Sequence, residues 1–206
     1  MSEAKDRAGS PVTPALREAY ARDGVVFLPR ALSPQALAEA QAAYDWSLAH
    51  PGPLASQVPQ ATRSTFFQDL YNPDCLNGYR AMLEASPIPR LVADLWGSPD
   101  VWFMYEQVFL KEGGETRRTP WHQDSSYLAV AGEHLAVVWI TFDPVAKADA
   151  LEFVRGSHSG VLYNGSSFEL ADDTAPLHPR SALPRLPDIE ADRSAWDIVS
   201  WAVEPG

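Results

Sequence analysis

Helical periodicity stops at Gly97-Ser98-Pro99, and no helix-like pattern alternates with the strand-like segments beyond it. That break constrains the fold most. Parallel strands need a crossover between them, usually a helix. A chain that places its helices first and its strands afterwards is expected to build antiparallel sheet, in an α+β arrangement. Before the break, PALREAYARD (14–23) reads as a short helix. Ser33-Pro34 supplies an N-cap followed by proline at the first helical position. Leu37, Ala40, Tyr44 and Leu48 follow at helical spacing, so 34–49 is predicted to be an amphipathic helix. Two more helices are predicted at 73–85 and 87–96, the second bounded by Gly97 and Pro99. GVVFLP (24–29), β-branched and apolar, reads as an early strand.

After the break, VWFMYEQVFLK (101–111), LAVVWITFDPV (135–145), ALEFVRGSHSG (150–160) and WDIVSWAVEPG (196–206) read as strands, the third ending in a tight turn. EGGETRRTP (112–120) is a turn, and WHQDSSY after it is extended or turning. Residues 163–196 carry no durable periodicity, which suits a functional lid or loop. Several strands separated by turns fit a jelly roll better than a parallel sheet. The expectation is one domain over 1–206: a polar start at 1–13, a helical flank at 14–98, and a mostly β, partial jelly roll at 99–206 with 163–195 as lid or loop.

Within that β region lies TPWHQDSSYL. Residues i and i+2 of an extended segment face the same way, so His122 and Asp124 can meet one ion. Imidazole nitrogen and carboxylate oxygen suit Fe(II), with Zn(II) as a competitor. The bland alternative is a histidine hydrogen-bonded to a loop carboxylate. A second histidine would complete a facial triad, but each candidate has a plainer reading. His134 opens a strand at the surface, His158 sits in a turn, His178 lacks a strand to hold it, and His50 precedes a proline in a loop.

The remaining composition excludes classes. With 16 basic against 27 acidic residues the net charge is −11, which opposes non-specific nucleic-acid binding and docking on anionic membrane. The single Cys75 makes neither an internal disulfide nor a zinc cluster. No signal peptide and no membrane-length apolar run is visible, so a cytoplasmic location is the default expectation.

DGVVFLPRALSPQALAEAQ, QVFLKEGGETRRTPWHQD and WITFDPVAKADALEFVRGSHSG resemble, in order and spacing, the phytanoyl-CoA dioxygenase family of Fe(II)/2-oxoglutarate oxygenases. The likeness covers most of 20–160 and, more loosely, 196–206. It implies a double-stranded β-helix, a form of jelly roll, with N-terminal flanking helices. It implies that His122 and Asp124 are the first two iron ligands. Gln107 matches a position lining the 2-oxoglutarate pocket, and Lys111 a lysine near that cosubstrate. Gln123 sits between the ligands, where it would orient them, and Trp139 matches an aromatic packed beside 2-oxoglutarate. Plainer roles stand beside these: Gln107 satisfying a neighbouring strand, Lys111 a solvated strand end, Trp139 a core residue.

The family's distal histidine and the arginine that pairs with 2-oxoglutarate would follow a segment like WAVEPG, so both are expected beyond Gly206, and the 206-residue chain alone is expected to lack full activity. The resemblance implies Fe(II), 2-oxoglutarate and O2 as reactants, hydroxylation of a small molecule, and release of succinate and CO2. The carboxylate of Asp124 disfavours the related halogenases, which open that position for halide. The acidic balance speaks weakly against an acyl-CoA, although Arg117, Arg118 and Arg155 supply local positive charge. The rival readings are a jelly-roll domain that binds a small molecule without chemistry, and a zinc hydrolase at His122 and Asp124.

Overall fold

A computed structural model describes residues 12–58, 60, 63–114 and 117–206; the expected polar start lies outside these up to residue 11. The four α-helices among the described residues form where local sequence asks for them. α1 (Pro14–Asp23) is capped by Thr13, whose hydroxyl accepts from the Leu16 amide at 3.2 Å. α2 (Pro34–Ala49) is capped by Ser33 in the same way. α3 (Leu76–Ala85) begins after a turn in which the Asp74 amide donates to the Asn72 side chain. α4 (Ile88–Trp96) ends at Gly97 in the left-handed region.

α2 packs on α3 through a stripe shifted from the expected one. Its innermost residues are Ala36, Ala40, Ala43 and Ser47, while Leu37, Tyr44 and Leu48 are half-buried at the margins. Small side chains let the helix axes approach, and Cys75 at the N-cap of α3 with Tyr79 and Met82 of that helix fill the space they leave. The Tyr79 and Ser47 hydroxyls meet at 3.0 Å, so this buried polar pair is satisfied. Burial pushes the Cys75 thiol up to about 11, which makes it an inert core group.

β1 (Ser56–Gln57), β2 (Thr65–Leu70) and β3 (Gln107–Glu112) form an antiparallel sheet in that order. β2 pairs along its whole length, Phe66 opposite Lys111 and Leu70 opposite Gln107. TFFQDL is not among the strands expected from sequence, although its threonine and two phenylalanines carry the signal. One face buries Asp69 and Val108, and the other carries Gln107, Phe109 and Lys111. β4 (Phe153–Val154) pairs antiparallel with β5 (Ile198–Val199), and a single bridge joins Val145 to Val203.

The strand expectations need correcting in three places. Residues 24–29 are extended but form no ladder, and 101–106 precede the ladder of β3 without joining it. Of 135–145 only Val145 is bridged, and Val137, Val138 and Trp139 are exposed. β-propensity expresses the fit of a side chain to a paired, half-buried surface; where no neighbouring strand is in register, the same residues stay extended and unpaired. The described residues thus form helices with a three-stranded and a two-stranded antiparallel sheet, short of a complete double-stranded β-helix. Within residues 163–196 bridges from Ser166 to Pro176 and Glu169 to Asp172 close a hydrogen-bonded arch, and a 3-10 segment follows at Glu190–Ala195.

Candidate metal centre

The segment 117–124 meets β3 at Lys111. Lys111 Nζ lies 3.4 Å from both the Arg117 carbonyl and Thr119 Oγ1, and 4.3 Å above the Phe66 ring. Lys111 thus reaches this segment, and Gln107 lies on the same face of β3.

His122 Nε2 and Asp124 Oδ1 stand 3.2 Å apart, with side chains 27% and 48% exposed. His122 Nδ1 lies 2.7 Å from the Pro120 carbonyl. A carbonyl only accepts, so Nδ1 carries a proton; Nε2 donates to Asp124 when it too is protonated, and when it is not its lone pair is available to a cation. Burial opposes the imidazolium, but the Asp124 hydrogen bond, the Pro120 carbonyl and the Asp124 charge outweigh it, and the imidazole pKa lies above its ordinary value. Two ligands at right angles on an ion, each about 2.1 Å away, stand about 3 Å from one another. The observed separation suits adjacent positions on a cation. The pair fits two members of a metal donor set, and among the described residues no cluster of three His, Cys, Asp or Glu accompanies it.

The rings of three other histidines are engaged elsewhere. His50 stacks on Trp46 and meets its carbonyl, and His134 stacks on Trp96. His158 Nε2 lies 3.2 Å from the Ala21 carbonyl at the end of α1. Gly24 permits that contact, since a Cβ there would sit 2.2 Å from His158 Nδ1, and its φ of 76° favours glycine in any case. The backbone of His178 pairs with the Asn164 side chain.

Gln123 faces away from the pair. Its amide nitrogen donates to the Ser157 and Val161 carbonyls at 2.9 and 3.0 Å, and its oxygen accepts from the Tyr163 amide at 2.8 Å. The side chain staples the histidine-aspartate segment to the turn at 157–163, so its place is beneath the pair and not in front of it. Trp139 is 41% exposed and, among the described residues, has neither a hydrogen bond nor a ring contact.

Sequence reasoning missed the aromatic surroundings. Tyr127 and Phe168 stand 5.5 and 5.7 Å from the imidazole, and the Tyr127 hydroxyl donates to the Ser166 carbonyl at 2.7 Å. Gly165 makes room for this, since a Cβ there would sit 2.9 Å from the Tyr127 ring. Tyr127 is three residues past Asp124 and was legible as a neighbour; Phe168 comes from the aperiodic arch and was not. Behind the segment, Trp121 Nε1 donates to Glu190 at 2.7 Å, and Glu152 lies between Arg118 and Arg193.

Fold and pair together define a helix-flanked antiparallel β protein with an imidazole and a carboxylate at chelating distance. Residues 20–206 match the model of the phytanoyl-CoA dioxygenase (PhyH) family, and the chain belongs to that family. The family is in general one of Fe(II)- and 2-oxoglutarate-dependent oxygenases with a cupin-like jelly-roll fold. No curated protein and no solved structure matches the chain. No helix among the described residues is long and apolar enough to cross a membrane.

Proposed function

We propose that this chain carries the metal-binding core of an Fe(II)- and 2-oxoglutarate-dependent dioxygenase that hydroxylates a small molecule, with 2-oxoglutarate going to succinate and CO2. The observation that carries the reading is the 3.2 Å separation of His122 Nε2 and Asp124 Oδ1, with Nδ1 tied to Pro120. Family membership over residues 20–206 supports it independently.

His122 and Asp124 would hold the iron, and the bound iron and cosubstrate would supply the oxidising chemistry. The chain's own residues do the positioning. The Pro120 carbonyl fixes the imidazole tautomer and its rotation. Gln123 anchors the backbone between the two ligands to a separate turn, so neither drifts independently. Lys111 and Gln107 share one face of β3, and the Lys111 ammonium, which reaches Thr119, would meet a cosubstrate carboxylate. Phe168 and Tyr127 limit water on the imidazole side. The reading calls for a third protein donor besides this pair, and it leaves a cytoplasmic small-molecule role, without nucleic acid or membrane, as the proposal for its surroundings.

The test is metal uptake and succinate formation by the full-length protein with Fe(II), 2-oxoglutarate and air, beside Asp124→Ala. Loss of an outer partner of a metal ligand already costs about 10–100-fold in affinity, so loss of a ligand should exceed about 100-fold and take succinate to background. A wild-type protein that takes up no iron and forms no succinate would move the reading to a jelly-roll domain that binds a small molecule without chemistry.

A further inference from the structure

Four segments far apart in the chain meet behind the His122–Asp124 pair and leave a cavity of about 130 Å³. Trp121, His122 and Gln123 border it, and Asp124 does not. Gln123 is extended, so alternation turns Trp121 and Gln123 to the side opposite the pair. The rest of the wall comes from residues 23–25 at the end of α1, from β4 with the turn that follows it, and from residues 186–196. The cavity thus lies under the segment that carries the two metal-binding side chains.

The charged groups on this wall are already paired. Asp23 accepts two hydrogen bonds of 2.7 Å from Arg22. Glu152 is held by Arg118 and Arg193. The His158 ring meets the Ala21 carbonyl at 3.2 Å. The amide of Gln123 is spent on the turn at 157–163, and the Trp121 indole N–H on Glu190. Among the described residues no lysine or arginine borders the cavity. What remains is mainly apolar: Val25, Phe153, Val154, Leu186, Ile189 and Trp196, of which Leu186 and Ile189 are buried.

We propose that this cavity is a second binding site, behind the pair, for a compact uncharged molecule with an apolar body about the size of benzene. A charged ligand would give up its hydration there without meeting a free counter-ion. An uncharged one loses little and gains the contact area of aliphatic and aromatic walls. The volume fits, since an apolar cavity of about 150 Å³ stays dry and takes up benzene. The Tyr163 hydroxyl and the Trp196 indole N–H also border the cavity, and neither has a hydrogen-bond partner among the described residues. They are left to meet a single hydroxyl or carbonyl on such a ligand. An occupant would press on Trp121 and Gln123, which hold the metal-binding segment from behind. The inference goes beyond the oxygenase reading and does not rest on it.

The test titrates the full-length protein, free of metal, with benzene, benzoate and benzylammonium. NMR follows the indole N–H signals of Trp121 and Trp196, assigned with Trp121→Phe and Trp196→Phe. The expected result is a saturable shift of both signals with benzene, and binding at least about tenfold weaker for each charged ring. Val25→Phe fills the cavity and should weaken benzene by about tenfold or more, whereas Leu186→Ala enlarges it and should tighten p-xylene by a similar factor. The two variants act in opposite directions, so a general loosening of the fold does not mimic the pattern. Where one of them alters the circular dichroism, the other decides, and the charge series in wild type stands by itself. No saturable benzene shift, an equal response to either charged ring, or affinities unmoved by both variants overturns the inference. With no metal in the titration, its failure leaves the His122–Asp124 reading untouched, and its success does not depend on that reading.

Discussion

The helical flank and the β region of this chain are held together by different means. In residues 12–98 the apolar side chains that helical spacing brings to one face are mostly consumed: Ala40, Ala43, Tyr79 and Met82 close on one another, and the exposed large apolar side chains are Leu54, Tyr71 and Leu76. In residues 99–206 the balance reverses. Trp102 is 88% exposed, and Val130, Val137, Val138 and Trp139 are exposed as well. What fixes this half is a set of point contacts: the Gln123 staple, Arg117 on the arch, and Glu152 between Arg118 and Arg193. The difference teaches where rigidity at the candidate metal centre originates. A packed core resists deformation in every direction, whereas a hydrogen-bonded staple holds only the atoms it touches, and the pair sits among staples.

The comparison can be broken first at the core. Met82→Ala is expected to cost about 2–5 kcal/mol of unfolding free energy, read by urea denaturation, because the surrounding helices collapse only partly into the void. A loss under about 0.5 kcal/mol, the scale of a surface substitution, would mean the flank is no better packed than the β region.

Next comes the staple. Gln123→Ala removes the partners of two carbonyls and one amide. The expected effect is a fall of about 10–100-fold in Co(II) affinity, the range for outer partners of metal ligands, with the melting of the helical flank unchanged. Unaltered cobalt affinity would show that the pair is positioned without the turn at 157–163.

A third test uses pH. Burial would raise the Glu152 carboxyl, but Arg193 and Arg118 outweigh it and hold it below its ordinary value of 4.5. Folding therefore favours the charged form. Its contribution is fully present above the unfolded value and is lost as pH falls through the lower folded one. Glu152→Gln should flatten the loss of stability on acidification below about pH 4.5, read as the difference in melting temperature between variant and wild type across that range. Parallel acid profiles would remove Glu152 from the account. The smallest effect is expected at Val138→Ala, within about 0.5 kcal/mol, since an exposed side chain leaves no cavity behind; a larger loss would show the exposed strand to be covered in solution.

How far the sequence could be read obeys the same division. The helices at 14–23 and 34–49 were legible to the residue, because caps and i, i+4 spacing act within one turn of chain. The innermost stripe of α2 was not, since Ala36 and Ala43 became its centre only once α3 lay against them. The strands at 24–29 and 135–145 had strand composition but no ladder. His122 and Asp124 were legible as a pair because alternation along an extended segment is local.

By itself, then, the sequence determined the helical flank, the antiparallel character of the strands after it, the family, and the pairing of an imidazole with a carboxylate two residues on. Only the tertiary structure decided that Gln123 reaches the turn at 157–163, that His158 belongs to the end of α1, that Tyr71 stacks on Tyr105, and that Phe168 stands beside the imidazole. The reason is physical: caps and periodicity are interactions between near neighbours in the chain, whereas each of these contacts joins segments about 34 to 137 residues apart, whose meeting depends on loop closure and packing that no local pattern encodes.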